Sequence, residues 1–348
     1  MLERLSKHYQ DKLPFVCFRK PNDNKWTAYF ASGDHIHTTR SYTEEGFVFA
    51  PFDDVHNAIV FLSSESEVYT EELPTTFSNS KNNQYQTIPV TSEQHIQLVN
   101  KAVSTINEGT FSKVVVSRKE RLAIQEIDII QVFTRLVEEY PNAFSYIWYH
   151  PRVGLWIGAT PERLVSLEGN SFVTMALAGT QLYRGIENPK WGEKEKLEHQ
   201  FVIDYIVDQI KDPTNGIILS DFEVSDTYTS KAGSLLHLKA NIQGTIGEFN
   251  LKELLNTLHP TPAVCGLPKE PARQFILKNE HYNRSYYTGF LGEMNQNDRT
   301  ELFVNLRCAE FDNNELNIYV GGGVTADSNA QKEWEETLAK TQTIKKAL

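Results

Sequence analysis

The side chains best suited to chemistry in this sequence lie in two distant places that share one pattern. Glu333 and Glu336 stand three residues apart in GGGVTADSNAQKEWEETLAKT (321–341), and Glu195 and Glu198 repeat that spacing in EKLEH. On a helix, residues three apart share a face, so each pair presents two carboxylates in one direction. Carboxylate oxygens suit a hard cation, magnesium first, which prefers oxygen and keeps part of its water. EKLEH is not a zinc motif, because it lacks the HExxH spacing that puts two imidazoles on one face. Either pair alone reads as a solvated helix face. It is the repetition that favours a shared site.

Single residues elsewhere add to the pattern. Gly321, Gly322 and Gly323 follow the apolar run LNIYV and would let backbone approach a ligand closely. A strand, a glycine turn and a helix could also cradle an anion. Lys113 stands at the entrance of the β-branched run VVV, either as a snorkelling edge residue or, if desolvated, as a base. Glu162 follows Pro161, whose ring fixes its own φ and biases Thr160 to an extended form. It reads as a turn carboxylate in water or as a positioned acid. Arg307 lies among Leu, Val and Cys and needs an anion or a partner, since a buried unpaired charge is costly. His237 sits between leucines, where a satisfied core histidine is the plainer reading.

The elements that must position these groups can be read from apolar periodicity and breakers. Helices are expected over 92–109, with Ser92 as N-cap and Gly109 as stop, over 128–139 and near 271–281. Another carries EKLEH, with Phe201, Ile203, Tyr205, Ile206 and Ile210 supplying its apolar face. Strands are expected at 26–32, 46–50 and 58–63, and at FSKVVVSRKERLAI. Further on come FSYIWYH and VGLWIGA, joined by a His-Pro-Arg turn, SFVTMALAGT ending at Gly179, and LLHLKANIQGTI. The last three are SYYTGFLGEMN, ELFVNLRCAEF and ELNIYVGGGV. The polar stretch 64–86 reads as a surface connection. Many strands and few linkers imply one large α+β domain. Residues 1–90 would be a strand-rich part integral to that fold, and 91–348 the region bearing the chemistry.

Composition narrows the function. The chain has 348 residues, 40% hydrophobic and 23% charged, an ordinary globular balance. A net charge of −11 argues against a nonspecific nucleic-acid binder, though local basic groups or a metal can still attract a small anion. Cys17, Cys265 and Cys308 are too scattered for a disulfide framework or a CxxC site. No run approaches a membrane span and the first residues lack an apolar signal region, so the expected location is cytoplasmic.

Taken together, SKVVVSR, GATPERL, ALAGT, EKLEHQ, HPTPAVCG, YYTGFLG, NLRCAEF and GGGVTADSNAQKEWEET resemble the chorismate-utilising enzymes. That family includes isochorismate, salicylate, anthranilate and aminodeoxychorismate synthases. The motifs keep the family's order and cover most of 105–345. The resemblance implies a large α/β sandwich of two packed antiparallel sheets with outer helices. It implies that Glu198 and Glu336 bind magnesium directly, with Glu195 and Glu333 nearby through water, and that the metal holds the ring carboxylate of chorismate. Arg307 and Tyr287 would take the enolpyruvyl carboxylate, backbone at Gly179, Thr180 and Gly321 to Gly323 would pack on the substrate, and His237 would stand near the ring. In isochorismate synthases the lysine matching Lys113 activates water. The glutamate matching Glu162 protonates the departing hydroxyl, so the first needs a lowered pKa and the second a raised one.

Within the family, isochorismate synthase fits best. Anthranilate synthases resemble this chain but carry glutamine where Lys113 stands, and members that add ammonia or eliminate pyruvate usually carry threonine where Ala263 stands. The N-terminal part lacks the LLES-like segment of feedback-inhibited members, and the loop 181–194 is shorter than the family's. The implied enzyme is an isomerase and a monomer, needing no glutaminase, nucleic acid or membrane, whose product feeds menaquinone or a siderophore. Salicylate synthase and an ammonia-dependent aminase are the alternatives. A non-catalytic paralogue is disfavoured because Lys113, Glu162, Glu198, Arg307 and Glu336 are all present.

Overall fold

The run Phe15–Arg19 shows how this chain builds its layers. Successive strand residues point to opposite faces; here Phe15 and Cys17 enter one core while Val16 and Phe18 enter another. A strand apolar on both faces must be covered on both. The computed structural model, which describes all residues except 54–56, 78–82, 90, 234, 248 and 313, meets that demand with two stacked sheets and helices outside them.

Each sheet has ten strands among the described residues, and every pairing is antiparallel. The first sheet is centred on Lys113–Glu126, Glu315–Val324, Cys308–Asp312, Gly154–Thr160 and Phe144–His150, then continues through Phe15–Arg19 and Lys25–Ala31 to the edge strand Ser66–Glu72. The second runs from Leu219–Val224 through Leu235–Ile246, Ser171–Leu182, Arg163–Glu168, Arg299–Val304 and Phe290–Gln296 to Gly46–Ala50 and Ala58–Leu62. Strands from the first ninety residues therefore stand in both sheets.

Aromatic side chains fill much of the gap between the sheets. Phe18, Tyr146, Trp148 and Trp156 from one side meet Phe47, Phe49 and Phe303 from the other. Helices Glu193–Lys211 and Leu251–Leu258 cover the outside of the second sheet, and Leu2–Gln10 and Ile129–Glu139 cover the first. Asp128 caps the latter by accepting from the Ile130 and Gln131 N–H groups. Helix Ala330–Lys345 packs on the Glu315–Val324 strand.

Several local expectations need correction. The stretch expected as a surface connection contains Ser66–Glu72, which pairs along its whole length with Lys25–Ala31; the part at 78–82 lies outside the described residues. Its polar composition marks a sheet edge rather than a loop. Thr91, not Ser92, is the N-cap of helix Ser92–Asn107. The strand expected from Ser285 begins only at Phe290, because Ser285 and Thr288 have φ of +52° and +60° and turn the chain. The strand expected to end at Gly179 continues to Leu182 through a register shift between Ala178 and Gln181.

Candidate active site

At one end of the gap the aromatic filling stops and a cavity begins. Every position singled out from the sequence borders it directly except Lys113. The Glu315–Val324 strand carries the change along its inward face, where Tyr319 is followed by Gly321 and Gly323. A Cβ on Gly321 would lie 2.9 Å from the Tyr287 hydroxyl. One on Gly322 would lie 3.3 Å from Glu333 Oε2 and 3.8 Å from Glu336 Oε1, and one on Gly323 would collide with Glu198 Oε1. The three glycines make room for a tyrosine and three carboxylates, and side chains there would remove it.

Lys113 stands beside that strand, at the start of the neighbouring strand Lys113–Glu126. Its side chain is fully buried and its Cε would be 3.2 Å from a Cβ on Gly323. Its Nζ ends 3.0 Å from Glu198 Oε1. Burial alone would raise the Glu198 carboxyl, but Lys113, Lys194 and Lys340 outweigh it and hold the group below its ordinary range.

Glu162 behaves in the opposite way. It follows the Gly154–Thr160 strand, is 4% exposed, and its carbonyl accepts the Val304 N–H at 2.9 Å. Burial pushes its carboxyl up to about 8 even though Lys113 and Arg307 pull it down. A group with that value is mostly protonated at neutral pH and can give a proton away.

Arg307 reaches the cavity from a backbone held at φ +50°, a conformation rare for a side chain of its size. Its Nη2 donates to His237 Nε2 at 3.3 Å. His237 Nδ1 in turn lies 2.9 Å from the Gly179 carbonyl, which can only accept. The imidazole is therefore neutral with its proton on Nδ1, and burial with Arg307 beside it pushes its pKa down to about 3. Burial also pulls Arg307 down and pushes the Tyr287 phenol up. Ala263, Thr180 and Glu195 complete the wall.

The four glutamates come from the first two turns of helices Glu193–Lys211 and Ala330–Lys345, Glu195 and Glu333 in the first and Glu198 and Glu336 in the second. Among the described residues no three acidic, histidine or cysteine side chains already form a metal cage. Instead, lysines hold the carboxylates: Lys194 Nζ is 2.8 Å from Glu333, and Lys340 Nζ is 2.6 Å from Glu336. Lys340 also donates to the Gly321 carbonyl at 2.8 Å. Burial and the neighbouring Glu336 raise the Glu333 carboxyl. Lys194 and Lys340 escaped the sequence reading. Lys340 had a signal, since Glu336 and Lys340 are four apart on one helix face; Lys194 had none.

The family model described as chorismate binding enzyme matches residues 36–348. The chain belongs to this family. Isochorismate synthase DhbC of Bacillus subtilis (strain 168) is 30% identical over 269 residues, covering 72% of this chain and 66% of the relative. The vibriobactin-specific isochorismate synthase of Vibrio cholerae is 29% identical over 268 residues, with the same shares. The chain thus matches about 66% of the length of these curated relatives. The solved menaquinone-specific isochorismate synthase MenF of Escherichia coli has a TM-score of 0.80, covering 96% of this chain and 88% of that one at 19% identity, a likeness of fold. In this chorismate-binding enzyme the motif residues from both sheets and two helices thus meet in one cavity. No described helix is long and apolar enough to cross a membrane.

Proposed function

We propose that this chain is an isochorismate synthase, an isomerase that exchanges the ring hydroxyl of chorismate for one on the carbon beside the carboxylate-bearing one. The observation that carries the reading is the buried Glu162 carboxyl, pushed up to about 8 by burial, facing a cavity whose Glu198 is reached by Lys113 from another strand. Lys113 acts as the base, taking a proton from water at Nζ while the water oxygen bonds to the ring carbon beside the carboxylate-bearing one. Both ring double bonds shift by one position, and the departing hydroxyl leaves with the Glu162 proton. One water enters and one leaves, so the reaction is an isomerisation and runs both ways. Arg307, oriented by His237, takes the enolpyruvyl carboxylate with Tyr287.

The donor set fits magnesium in type: all-oxygen carboxylates crowd glycine backbone that leaves room for little else. Glu198 and Glu336 would hold the ion directly, with Glu195 and Glu333 through water. When bound it supplies positive charge to the ring carboxylate. Ala263 on the wall supports a reaction that stops at isochorismate rather than continuing to salicylate. We place the enzyme in the cytoplasm as a monomer without a glutaminase, with its product entering menaquinone or siderophore synthesis.

The test is a product profile from purified protein, chorismate and magnesium, with and without ammonia. A chorismate–isochorismate mixture that is lost on adding chelator is the expected result. Salicylate with pyruvate, an amino product, or no conversion would each overturn it.

A further inference from the structure

A second cleft, of about 550 Å³, opens away from the cavity, between helix Ser92–Asn107, the middle of the Lys113–Glu126 strand and the turn after Asn279. His95, Lys101, Arg118, Lys119, His281 and Tyr282 are on its wall. Its buried polar groups are not used up by the protein. His95 is 4% exposed, yet neither ring nitrogen has a protein partner. Arg118, 6% exposed, donates from Nε to Thr337 at 2.8 Å and from Nη2 to Glu120 at 3.1 Å, and leaves Nη1 without one. Buried polar atoms normally find partners, so two such groups on one wall point to a ligand.

The charge around them gives its sign. Glu280, the acid on this wall, is already taken by Arg284 at 2.6 Å and by the Ser117 N–H at 2.6 Å. Glu120 is shared between Arg118 and Lys345. Lys101 and Lys119 have no ion pair among the described residues; Lys119 Nζ lies 5.4 Å from the Tyr282 ring. In a chain of net charge −11 this is a local reversal. Burial and Arg118 push His95 down to about 4, so its imidazole offers one N–H and one lone pair.

We propose that this cleft binds a small oxyanion, a phosphate or a carboxylate, through Arg118 Nη1, the His95 N–H, Lys101 and Lys119. Its occupation is felt at the cavity through Trp334. The Arg118 guanidinium lies 4.4 Å over the Trp334 ring, and the His95 ring is 6.0 Å from it. Trp334 stands between Glu333 and Glu336 on one helix, and Arg118 also holds Thr337 of that helix. An anion that draws Arg118 and His95 toward itself repositions the indole and the turn bearing both carboxylates.

The test needs no turnover, so it stands apart from the proposed activity. The full chain is labelled with fluorotryptophan, the Trp334 resonance is assigned with Trp334→Phe, and the protein is titrated at constant ionic strength. One arm uses inorganic phosphate and the other succinate, which decides between the two anion classes. A saturable Trp334 shift is expected in one arm, weakened about tenfold in the Lys101→Gln/Lys119→Gln variant, which loses two charge-assisted contacts from partly exposed positions. No saturable shift in either arm would overturn the proposal. An equal shift in wild type and double variant, or one reproduced by sodium chloride alone, would overturn it too.

Discussion

The two ends of the inter-sheet gap lie between the same two sheets and are filled in opposite ways. At one end Phe18, Phe49, Trp148 and Trp156 interlock. At the other, the Glu315–Val324 strand, whose Tyr319 still belongs to the aromatic cluster, supplies glycines, and charged groups and two helix ends border the gap. The aromatic end holds the sheets at a fixed separation. The glycine end uses that separation to bury charge at positions it could not hold on its own. Rigidity at one end thus permits a polar, costly arrangement at the other.

Breaking the polar end at its chemical groups should have the largest effect. Lys113→Ala and Glu162→Gln are each expected to lower turnover by about 10²–10⁴-fold, with near-UV dichroism unchanged; full turnover in either would remove that residue from the chemistry. Breaking the aromatic end should act on stability instead. Trp148→Ala is expected to cost about 3–5 kcal/mol in denaturant unfolding, while the folded fraction keeps its KM. Gly323→Ala tests the boundary between the ends, because its Cβ would collide with Glu198 Oε1. About a hundredfold loss of kcat/KM is expected from displacing that carboxylate, with a smaller loss of thermal stability than Trp148→Ala produces.

A further test separates function from stability at a single residue. The folded Glu162 carboxyl keeps its proton up to about pH 8, whereas its ordinary value is 4.5. Between those values the unfolded chain binds fewer protons than the folded one, so Glu162 erodes stability as pH rises through that window. Turnover should fall above about pH 8 as the acid is lost. Glu162→Gln should remove most of the pH dependence of Tm between 5 and 8 and leave the variant more stable than wild type at the upper end. A Tm–pH curve parallel to that of wild type would show that Glu162 is not buried as a neutral acid.

The comparison also shows what the sequence could tell. The aromatic end was legible because runs such as GFVFA and FSYIWYH are apolar at consecutive positions, which only a doubly covered strand explains. At the polar end the positions were legible through motif resemblance, and the carboxylate pairs also through their spacing. Their counter-charges were not. Lys194 meets Glu333 across 139 residues, a pairing no local pattern encodes. Nor could spacing put Lys113 Nζ against Glu198, 85 residues away. The edge strand Ser66–Glu72 was missed because its residues are mostly exposed and so mostly polar, the same composition that a loop would have.

The lysines that hold Glu198, Glu333 and Glu336 have a consequence for how the enzyme matures. Carboxylates brought together repel, and an acidic nest with no built-in counter-ions would assemble only when a divalent ion arrived during folding. Here each of these glutamates comes with its own ammonium group, so the nest can close on a newly made chain in a cell compartment poor in free metal. Under the proposed magnesium chemistry, ion uptake would be an exchange at a finished site. Chelation should silence the enzyme while leaving its melting temperature almost where it was.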